Sequence, residues 1–534
     1  MIYINRFFFN IFNQLRQFYL CSKFYDKKIS KTNNKNLVYK PSPHFLSSLF
    51  SYKKKIKIDD FSIEAVWKND KLSNKEYRRM NNFFWVFSLD LKSSKKTIQS
   101  VIADWIVSNQ NYDSRSWNSD LTAKRIISWL SCHNLTYDES DKDYKDNFNN
   151  LIQKQTNHLI NEIDKSELID DKLIICASII LVGLCYKNEK SYLSFGSNLL
   201  KKITKETLDN YCFPKSRNMG QLVFYLKYFV LIREWFKESQ TEIPEHINET
   251  IYYLGQGYAF LWQSNNCDLL FNGNTNSDKG SFDNYLRRLG YKFKNENQEL
   301  GGYVIFKNKK ICLAMDVGST PNSQYTKDYQ AGALSFEILS NGKKLISNCG
   351  YYKKKHNDLN RISKSSSAQS TLTIDDNSSC KFNKINNSWI IKKGVKILKK
   401  NSIFEKDYWK INASHNGYKK KYNSIHEREI EFYPKEMAFI GKDKIMKKKN
   451  NNYKFDIRFH FEPNVKLMKT QDNKTILIEL ADEGWKFSCE NYDINIDNGL
   501  YFGNKNLYTD NQNIFIAGIS NNQTENIRWE IRKI

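Results

Sequence analysis

The side chains that could carry acid–base, redox or metal chemistry are spread along the whole sequence. The eight histidines stand at positions 44, 133, 158, 246, 356, 415, 426 and 460. No two of them have metal-ligand spacing on a predicted helix. His415, His426 and His460 lie in or beside predicted strands, where a histidine is either a hydrogen-bonded structural group or a proton carrier. The ten cysteines contain no Cys-x-x-Cys pair, which disfavours a zinc ribbon or a thioredoxin-type site.

The sequence also lacks the short motifs of several large enzyme classes. It contains no Walker loop and no G-x-G-x-x-G, G-x-S-x-G or H-E-x-x-H pattern. Their absence argues against P-loop, Rossmann, α/β-hydrolase and zincin chemistry.

The charge balance favours an anionic partner. The 534 residues include 83 Lys and Arg against 58 Asp and Glu, a formal net charge of +25. The positive electrostatic field of such a chain attracts nucleic acid, anionic lipid or acidic polysaccharide. The alternative is that the excess lysines only solvate the surface, as in chains with AT-biased coding. No DNA-reading motif occurs, and most aromatic residues recur at core spacing rather than between basic residues. We therefore predict no nucleic-acid partner.

The first 20 residues predict an amphipathic helix. Apolar side chains at positions 8, 11, 12, 15 and 18 fall on one helical face. Polar residues interrupt the stretch and no small-residue cleavage site follows, so it does not resemble a secretory signal peptide. We expect the apolar face to dock onto the body of the protein, with a basic interfacial anchor at a membrane surface as the alternative. No apolar run reaches the roughly 18–20 residues of a membrane-spanning helix.

The pattern changes from helical to strand-like near residue 290. Apolar spacing predicts helices over 101–107, 122–130, 148–163, 172–186, 192–208, 220–236 and 247–262. After residue 301, short strands alternate with polar turns, and Asn341-Gly342 marks a tight turn that tolerates positive φ. With 40% hydrophobic residues, the chain is long enough for two large domains.

We predict a multidomain chain, helical first and an antiparallel β-sandwich second. An N-terminal extension covers residues 1–75, a helical domain residues 76–295 and a sandwich residues 296–534. A cleft between the two domains is the default binding site.

Several segments, taken in order, resemble the heparinase II/III-like family of polysaccharide lyases. The strongest lie at 331–338, 342–350 and 365–372; further segments lie at 117, 125–130, 216–218, 271–273, 414–418, 426–428 and 458–463. The resemblance extends over roughly residues 80–530. It implies an incomplete α/α toroid followed by an antiparallel β-sandwich, in agreement with the periodicity.

The resemblance implies β-elimination on a uronate-containing polysaccharide. Such a reaction needs donors that neutralise the uronate carboxylate, a base for the C5 proton and an acid for the leaving oxygen. The catalytic candidates are Tyr351, Tyr352, Arg361 and His415, and the substrate-binding candidates are Arg217, Asn218, Gln330, Asn348 and Gln369. Arg361 would pair with a carboxylate through two hydrogen bonds. Tyr351 or Tyr352 would carry the proton.

Three positions depart from the family pattern. Gln330 and Gln369 stand where the family has histidine, and Asn348 stands where many members have the aspartate that helps hold a structural zinc. An amide cannot titrate and is a poor zinc ligand beside imidazole. We therefore predict no metal and no cofactor. The helical half also lacks the Asn-His pair that grips the substrate carboxylate in the family.

The predicted function is a carbon–oxygen lyase acting on an acidic cell-envelope polysaccharide. The alternative is a catalytically degenerate protein of the same fold that binds such a glycan or assists its assembly. The resemblance implies the cell envelope or periplasm. Because no signal peptide is evident, the cytoplasm and the membrane surface stay open as locations, and the oligomeric state is not fixed.

Overall fold

Helices form where apolar side chains recur at three- and four-residue spacing. The computed structural model describes residues 12–31, 37–49, 72–89, 95–166, 168–186, 190–262, 268–277, 280–354, 358–385, 388–448, 451–504 and 507–534. Its named helices are α1 Lys23–Ile29, α2 Pro43–Leu49, α3 Asn74–Asn81, α4 Lys95–Asn109, α5 Ser119–Ser131, α6 His133–Thr136, α7 Lys142–Glu162, α8 Ile169–Cys185, α9 Lys190–Thr207, α10 Met219–Glu238, α11 Glu245–Trp262, α12 Gly280–Arg288, α13 Asp358–Lys364 and α14 Lys419–Tyr422. All seven helices predicted from the spacing are confirmed.

The strands begin at residue 299, as the change of pattern predicts. They are β1 Glu299–Leu300, β2 Tyr303–Lys307, β3 Ile311–Asp316, β4 Phe336–Ser340, β5 Lys343–Ile346, β6 Leu372–Ile374, β7 Lys381–Ile385, β8 Ser388–Lys393, β9 Ile397–Phe404, β10 Trp409–His415, β11 Ser424–Tyr433, β12 Ala438–Lys447, β13 Tyr453–His460, β14 Lys466–Lys469, β15 Thr475–Leu480, β16 Glu483–Ser488, β17 Ile494–Tyr501, β18 Thr509–Ser520 and β19 Thr524–Lys533. The turn between β4 and β5 is made by Asn341 and Gly342, both at positive φ, which confirms the predicted tight turn.

The chain divides into two compact units that are not contiguous in sequence. The helical unit takes in residues 1–207, 225–251 and 279–291. The strand unit takes in residues 208–224, 252–278 and 292–534. Two short segments from the helical half of the sequence thus belong to the strand unit. The domain boundaries drawn from the sequence stay a prediction.

Antiparallel sheets build the strand unit. The strand orders are β1-β2-β3-β4-β5, β14-β15-β16-β19-β12-β11-β10-β9, β17-β18-β13-β6 and the hairpin β7-β8. Strands from the first three sheets contribute to a single buried apolar cluster that includes Phe336, Phe459, Phe487 and Trp529. Burial of alternate side chains from facing sheets is the stabilising principle of a sandwich.

The helical stretch at residues 12–20 differs from the expectation for its apolar face. Leu20 is buried, whereas Phe12, Leu15 and Phe18 are exposed. For these three side chains the docking expectation is wrong; positions 8 and 11 lie outside the described residues. No helix within the described part of the chain is both long and apolar enough to cross a membrane.

Candidate functional site

A short helix of the strand unit, α13, brings several of the predicted site residues together. The backbone carbonyl of Ser363 accepts hydrogen bonds from Nε2 of Gln330 at 2.6 Å and from Nε2 of Gln369 at 3.3 Å. The Ser363 hydroxyl oxygen accepts the backbone N–H of Tyr352 at 3.2 Å. Residues far apart in the sequence therefore share one serine as their common contact.

The phenol of Tyr351 is hydrogen-bonded to a carboxylate. Its hydroxyl donates to Oδ1 of Asp328 at 2.9 Å, and Nδ2 of Asn360 donates to the Tyr351 oxygen at 3.3 Å. Burial, reinforced by the Asp328 carboxylate, raises the pKa of Tyr351 well above its usual value. The phenol therefore keeps its proton at neutral pH. It is suited to donate a proton rather than to accept one.

Tyr352 lies in an apolar surrounding instead. Its ring is buried in a cluster with Cys349, Ala368 and Phe502, and its ring centroid lies 5.8 Å from that of Phe502. The two adjacent tyrosines therefore differ in what they touch, a difference that the sequence does not reveal.

Sequence reasoning missed Lys364 and Asp328. The Lys364 ammonium is buried and donates to the backbone carbonyls of Lys327 at 2.5 Å and Trp389 at 2.6 Å. Burial lowers the pKa of Lys364 to about 8, against the opposing effect of the Asp328 carboxylate. No pattern in the sequence separates Lys364 from the many surface lysines, because its partners come from distant segments.

Arg361 lies on α13 with its side chain exposed. Its guanidinium carbon is 5.2 Å from the centroid of the Trp389 ring, and Nζ of Lys384 is 5.9 Å from the same centroid. A half-buried tryptophan flanked by two cations offers both an aromatic face and positive charge to a ligand.

Arg217 is held inside the strand unit by backbone groups. Its five N–H donors reach the carbonyl oxygens of Gly301, Gly302, Gly318 and Ser319 and Oδ1 of Asp316. A Cβ on Gly318 would lie 2.3 Å from the guanidinium carbon, so the site needs glycine there. Burial opposes the charge of Arg217, but Asp316, with Tyr303 and Tyr329 nearby, raises the pKa of Arg217 above its usual value. Every donor of this side chain has a protein acceptor.

A cavity of about 720 Å³ opens beside Arg217. Tyr211, Lys215, Glu299 and Tyr325 are among its lining residues, and its volume is in the range of small-ligand sites. Because the Arg217 donors are all engaged, this side chain shapes the cavity wall. Its predicted substrate-binding role stays a prediction.

Asn272 links Arg217 to the residues around α13. Its Nδ2 donates to the Tyr303 hydroxyl at 2.6 Å and to Oδ2 of Asp316 at 3.0 Å, while its Oδ1 accepts the backbone N–H of Gln330 at 3.3 Å. One buried polar network therefore runs from Arg217 through Asp316 and Asn272 to Gln330. In the sequence, the segment 271–273 is distinguished by its family resemblance alone.

Asn218 lies beside this network, at the start of α10. Its Oδ1 accepts the backbone N–H of Gln221 at 3.2 Å, which is the usual contact of a helix-capping asparagine. The side chain is half-buried, and its substrate-binding role stays a prediction.

His415 belongs to a different cluster. Its Nε2 lies 3.2 Å from Nδ1 of His426, whose Nε2 lies 2.6 Å from Oδ1 of Asp443. Arg428 donates to both oxygens of Asp443 at 2.8 and 3.1 Å. Burial, with His426 and Arg428 nearby, lowers the pKa of His415 well below its usual value. The contacts of His415 are those of a neutral, enclosed imidazole.

Gln330, Asn348 and Gln369, which depart from the family pattern, do not fit a zinc ion. Gln330 accepts the backbone N–H of Gly273 at 2.9 Å and donates to two carbonyls. Asn348 accepts the backbone N–H of Ser370 at 2.8 Å and donates to Glu337 at 3.3 Å. The amides thus bond to protein groups in the manner of buried polar side chains. Within the described residues, no three His, Cys, Asp or Glu side chains group closely enough to hold a metal.

We expect the purified protein to carry no stoichiometric zinc at these positions, because amide oxygens compete poorly with imidazole and thiolate for zinc. Metal analysis by mass spectrometry after dialysis checks this. One equivalent of zinc per chain that disappears in a Gln369→Ala variant would contradict it, and Gln99→Ala, which changes a glutamine in the helical unit, controls for nonspecific loss.

The comparisons with known proteins concern the fold of the chain and the family of its strand domain. Residues 296–530 match the family model "Heparinase II/III-like, C-terminal". The fold is similar to that of a mutant of the heparan sulfate lyase HepC from Pedobacter heparinus, with a TM-score of 0.68, 13% identity, and coverage of 95% of this chain and 87% of the other. It is also similar to heparinase III, with a TM-score of 0.69, 12% identity, and coverage of 96% and 88%. No curated protein matches the sequence.

The fold class is therefore that of an incomplete α/α toroid followed by an antiparallel β-sandwich, as predicted. Residues 296–530 form a heparinase II/III-like C-terminal domain. The family resemblance drawn from the sequence is confirmed for these residues.

Proposed function

We propose that the protein is a polysaccharide lyase that cleaves an acidic, uronate-containing polymer of the cell envelope by β-elimination. The domain at residues 296–530 supports the class of reaction, and the two similar structures bear the names of a heparan sulfate lyase and a heparinase. The observation that carries the proposal is the exposed Arg361 guanidinium, which lies 5.2 Å from the centroid of the Trp389 ring and is adjacent in α13 to Asn360, whose amide donates to the Tyr351 hydroxyl.

Arg361 supplies the first requirement of the reaction. The proton at C5 of a uronate is weakly acidic while the neighbouring carboxylate keeps its full charge. A guanidinium that pairs with this carboxylate through two hydrogen bonds stabilises the charge that develops as the proton leaves. Trp389 offers its ring face to the sugar beside that pair.

The pair formed by Tyr351 and Asp328 supplies the proton transfers. The Asp328 carboxylate takes the C5 proton, the C4–O4 bond breaks, and a C4=C5 double bond forms. Tyr351 gives its proton to the departing O4 oxygen, and the proton on Asp328 passes to the phenolate along their hydrogen bond. Protons and electrons balance without a further reactant, and the 2.9 Å contact is the route that restores the starting state.

The surface charge of the strand unit suits an anionic polymer. Residues 381–400 contain seven lysines and no acidic residue. Lys392, Lys393 and Lys396 are exposed. A one-sign patch of this kind raises the local concentration of a polyanion.

The test is the ultraviolet absorbance of the unsaturated uronyl product, measured over a panel of uronate polysaccharides. We expect Tyr351→Phe to lower kcat by about 10²- to 10⁴-fold, because the proton donor is lost. Tyr352→Phe is the matched control and should retain activity, since that ring packs against apolar neighbours. Arg361→Ala should lower kcat/KM by about tenfold or more. Product release that is unaffected by Tyr351→Phe would refute the assigned proton path.

A second candidate function is glycan binding without cleavage. It is favoured by the burial of the tyrosine and histidine candidates, since Tyr351 is 3% exposed, Tyr352 4% and His415 1%. In that case no polymer in the panel yields the unsaturated product, while calorimetry shows binding that Arg361→Ala weakens. Absence of both product and binding would overturn both functions.

A further inference from the structure

The N-terminal helices of the helical unit expose an unusual number of large apolar side chains. Phe12 is 58% exposed, Leu15 62%, Phe18 77% and Phe24 72%. The rings of Tyr19 and Phe24 lie 6.5 Å apart, so the two helices contribute to one patch. We call Phe12, Leu15, Phe18, Tyr19 and Phe24 the outward apolar face. Contiguous patches of this kind mark interaction surfaces.

The orientation of the stretch at residues 12–20 is the reverse of that of an ordinary docked helix. At about 100° per residue, Phe12, Leu15, Phe18 and Tyr19 share one side. Leu20, about 140° from the centre of that side, is buried, and Arg16, on the flank about 100° from the centre, pairs with Glu162. A polar contact therefore fixes this stretch to the protein while its apolar side points outward.

The following helix, α1, is attached in a similar way. Tyr25 is buried and its hydroxyl lies 2.8 Å from Nδ1 of His158, and Ile29 is fully buried. These contacts hold α1 in place without using Phe24. The two helices that carry the outward apolar face are therefore held to the helical unit by contacts of other residues.

Basic side chains border the outward apolar face. Lys23, Lys27 and Lys28 on α1 are exposed, and Nζ of Lys165 lies 6.0 Å from the centroid of the Phe12 ring. Residues 12–31 carry five basic side chains and one acidic side chain. That carboxylate, Asp26, pairs with Lys154 at 2.5 Å.

We propose that the outward apolar face binds the surface of an anionic lipid bilayer, with its aromatic side chains in the headgroup region and its lysines on the lipid phosphates. An exposed apolar stripe bordered by lysines is the composition of helices that lie in a membrane interface. A second copy of the chain is the less suitable occupant, because an isologous contact would bring these like charges together. The proposal is independent of the lyase function, since lipid binding requires no polysaccharide.

The experiment is sedimentation of the full chain with vesicles of phosphatidylcholine alone or of phosphatidylcholine mixed with phosphatidylglycerol. The parent chain should bind the anionic vesicles. A triple variant, Phe12→Ser, Leu15→Ser and Phe18→Ser, should lose at least about tenfold in affinity. The matched control changes exposed apolar residues elsewhere, Val107→Ser, Tyr252→Ser and Ile534→Ser, and should bind as the parent does.

A second variant separates the contribution of the lysine charges to vesicle binding from that of the apolar side chains. Lys23→Gln, Lys27→Gln and Lys28→Gln together should weaken binding to anionic vesicles, by up to about fivefold per lysine, without changing the weak binding to phosphatidylcholine. A parent chain that stays in the supernatant with anionic vesicles would overturn the proposal. So would a concentration-dependent dimer, seen by sedimentation velocity, that the triple apolar variant abolishes, since a second copy would then cover the face.

Discussion

An Asp443→Asn variant should lose about 3–5 kcal/mol of its free energy of unfolding. The Asp443 carboxylate is fully buried and accepts hydrogen bonds from His426, from two nitrogens of Arg428 and from Nε1 of Trp529 at 2.9 Å. Although burial opposes its charge, Arg428 and His426 hold the pKa of Asp443 well below its usual value. An amide of the same size leaves the Arg428 charge buried without its counter-charge.

Denaturant unfolding followed by tryptophan fluorescence measures this loss. The matched control is Asp407→Asn, the same substitution in an ion pair with Lys435 whose side chains are 53% and 78% exposed. Surface pairs contribute about 0–1 kcal/mol, so the control should unfold close to the parent midpoint. An Asp443→Asn variant as stable as the control would show that the buried network does not stabilise the sandwich.

Stability should fall steeply as the pH is lowered from 6.5 toward 3. Burial lowers the pKa of His158 and of His460 to about 3 in the folded chain, against an ordinary value of 6.5 for a histidine side chain. Between these values the unfolded chain binds a proton that the folded chain does not. Each such histidine therefore removes up to about 1.4 kcal/mol of unfolding free energy per pH unit of acidification. Above pH 6.5 this contribution is fully present.

The slope of unfolding free energy against pH checks the acid prediction. A His460→Gln variant should show a shallower slope below pH 6.5, because one proton-uptake site is removed from the unfolded chain. His44→Gln, which changes an exposed histidine, should leave the slope as it is. Equal slopes for the parent and His460→Gln would mean that His460 binds its proton equally in both states.

Much of the fold could be predicted from local pattern. Seven helices follow from apolar spacing, and the turn at Asn341 and Gly342 follows from the residue types that tolerate positive φ. These features depend on neighbours in the sequence. The outward apolar face shows where the pattern alone fails, because periodicity shows that residues 12, 15 and 18 share a side but not whether that side meets the protein or the solvent.

The candidate site was predicted less completely, since its contacts join distant segments. The positions of Tyr351, Arg361 and Gln330 came from resemblance, and the structure gathers them at α13. Asp328 and Lys364 had no signal, because a single carboxylate or ammonium acquires its role only from partners such as Tyr351 and the Trp389 carbonyl. Buried polar networks are specified by three-dimensional neighbours, which one sequence does not display.

The enclosure of Arg217 by backbone carbonyl oxygens determines which substitutions the residues around it can accept. Four of its five acceptors are main-chain oxygens, which every amino acid possesses. A new side chain at Ser319 would still present the same oxygen. The absence of a side chain at Gly318 cannot vary, because a methyl group there would occupy the volume of the Arg217 guanidinium. The residues around Arg217 can therefore vary widely, provided that positions such as Gly318 carry no side chain. A related sequence with the same arginine site would be recognised by glycine at such positions rather than by particular polar residues.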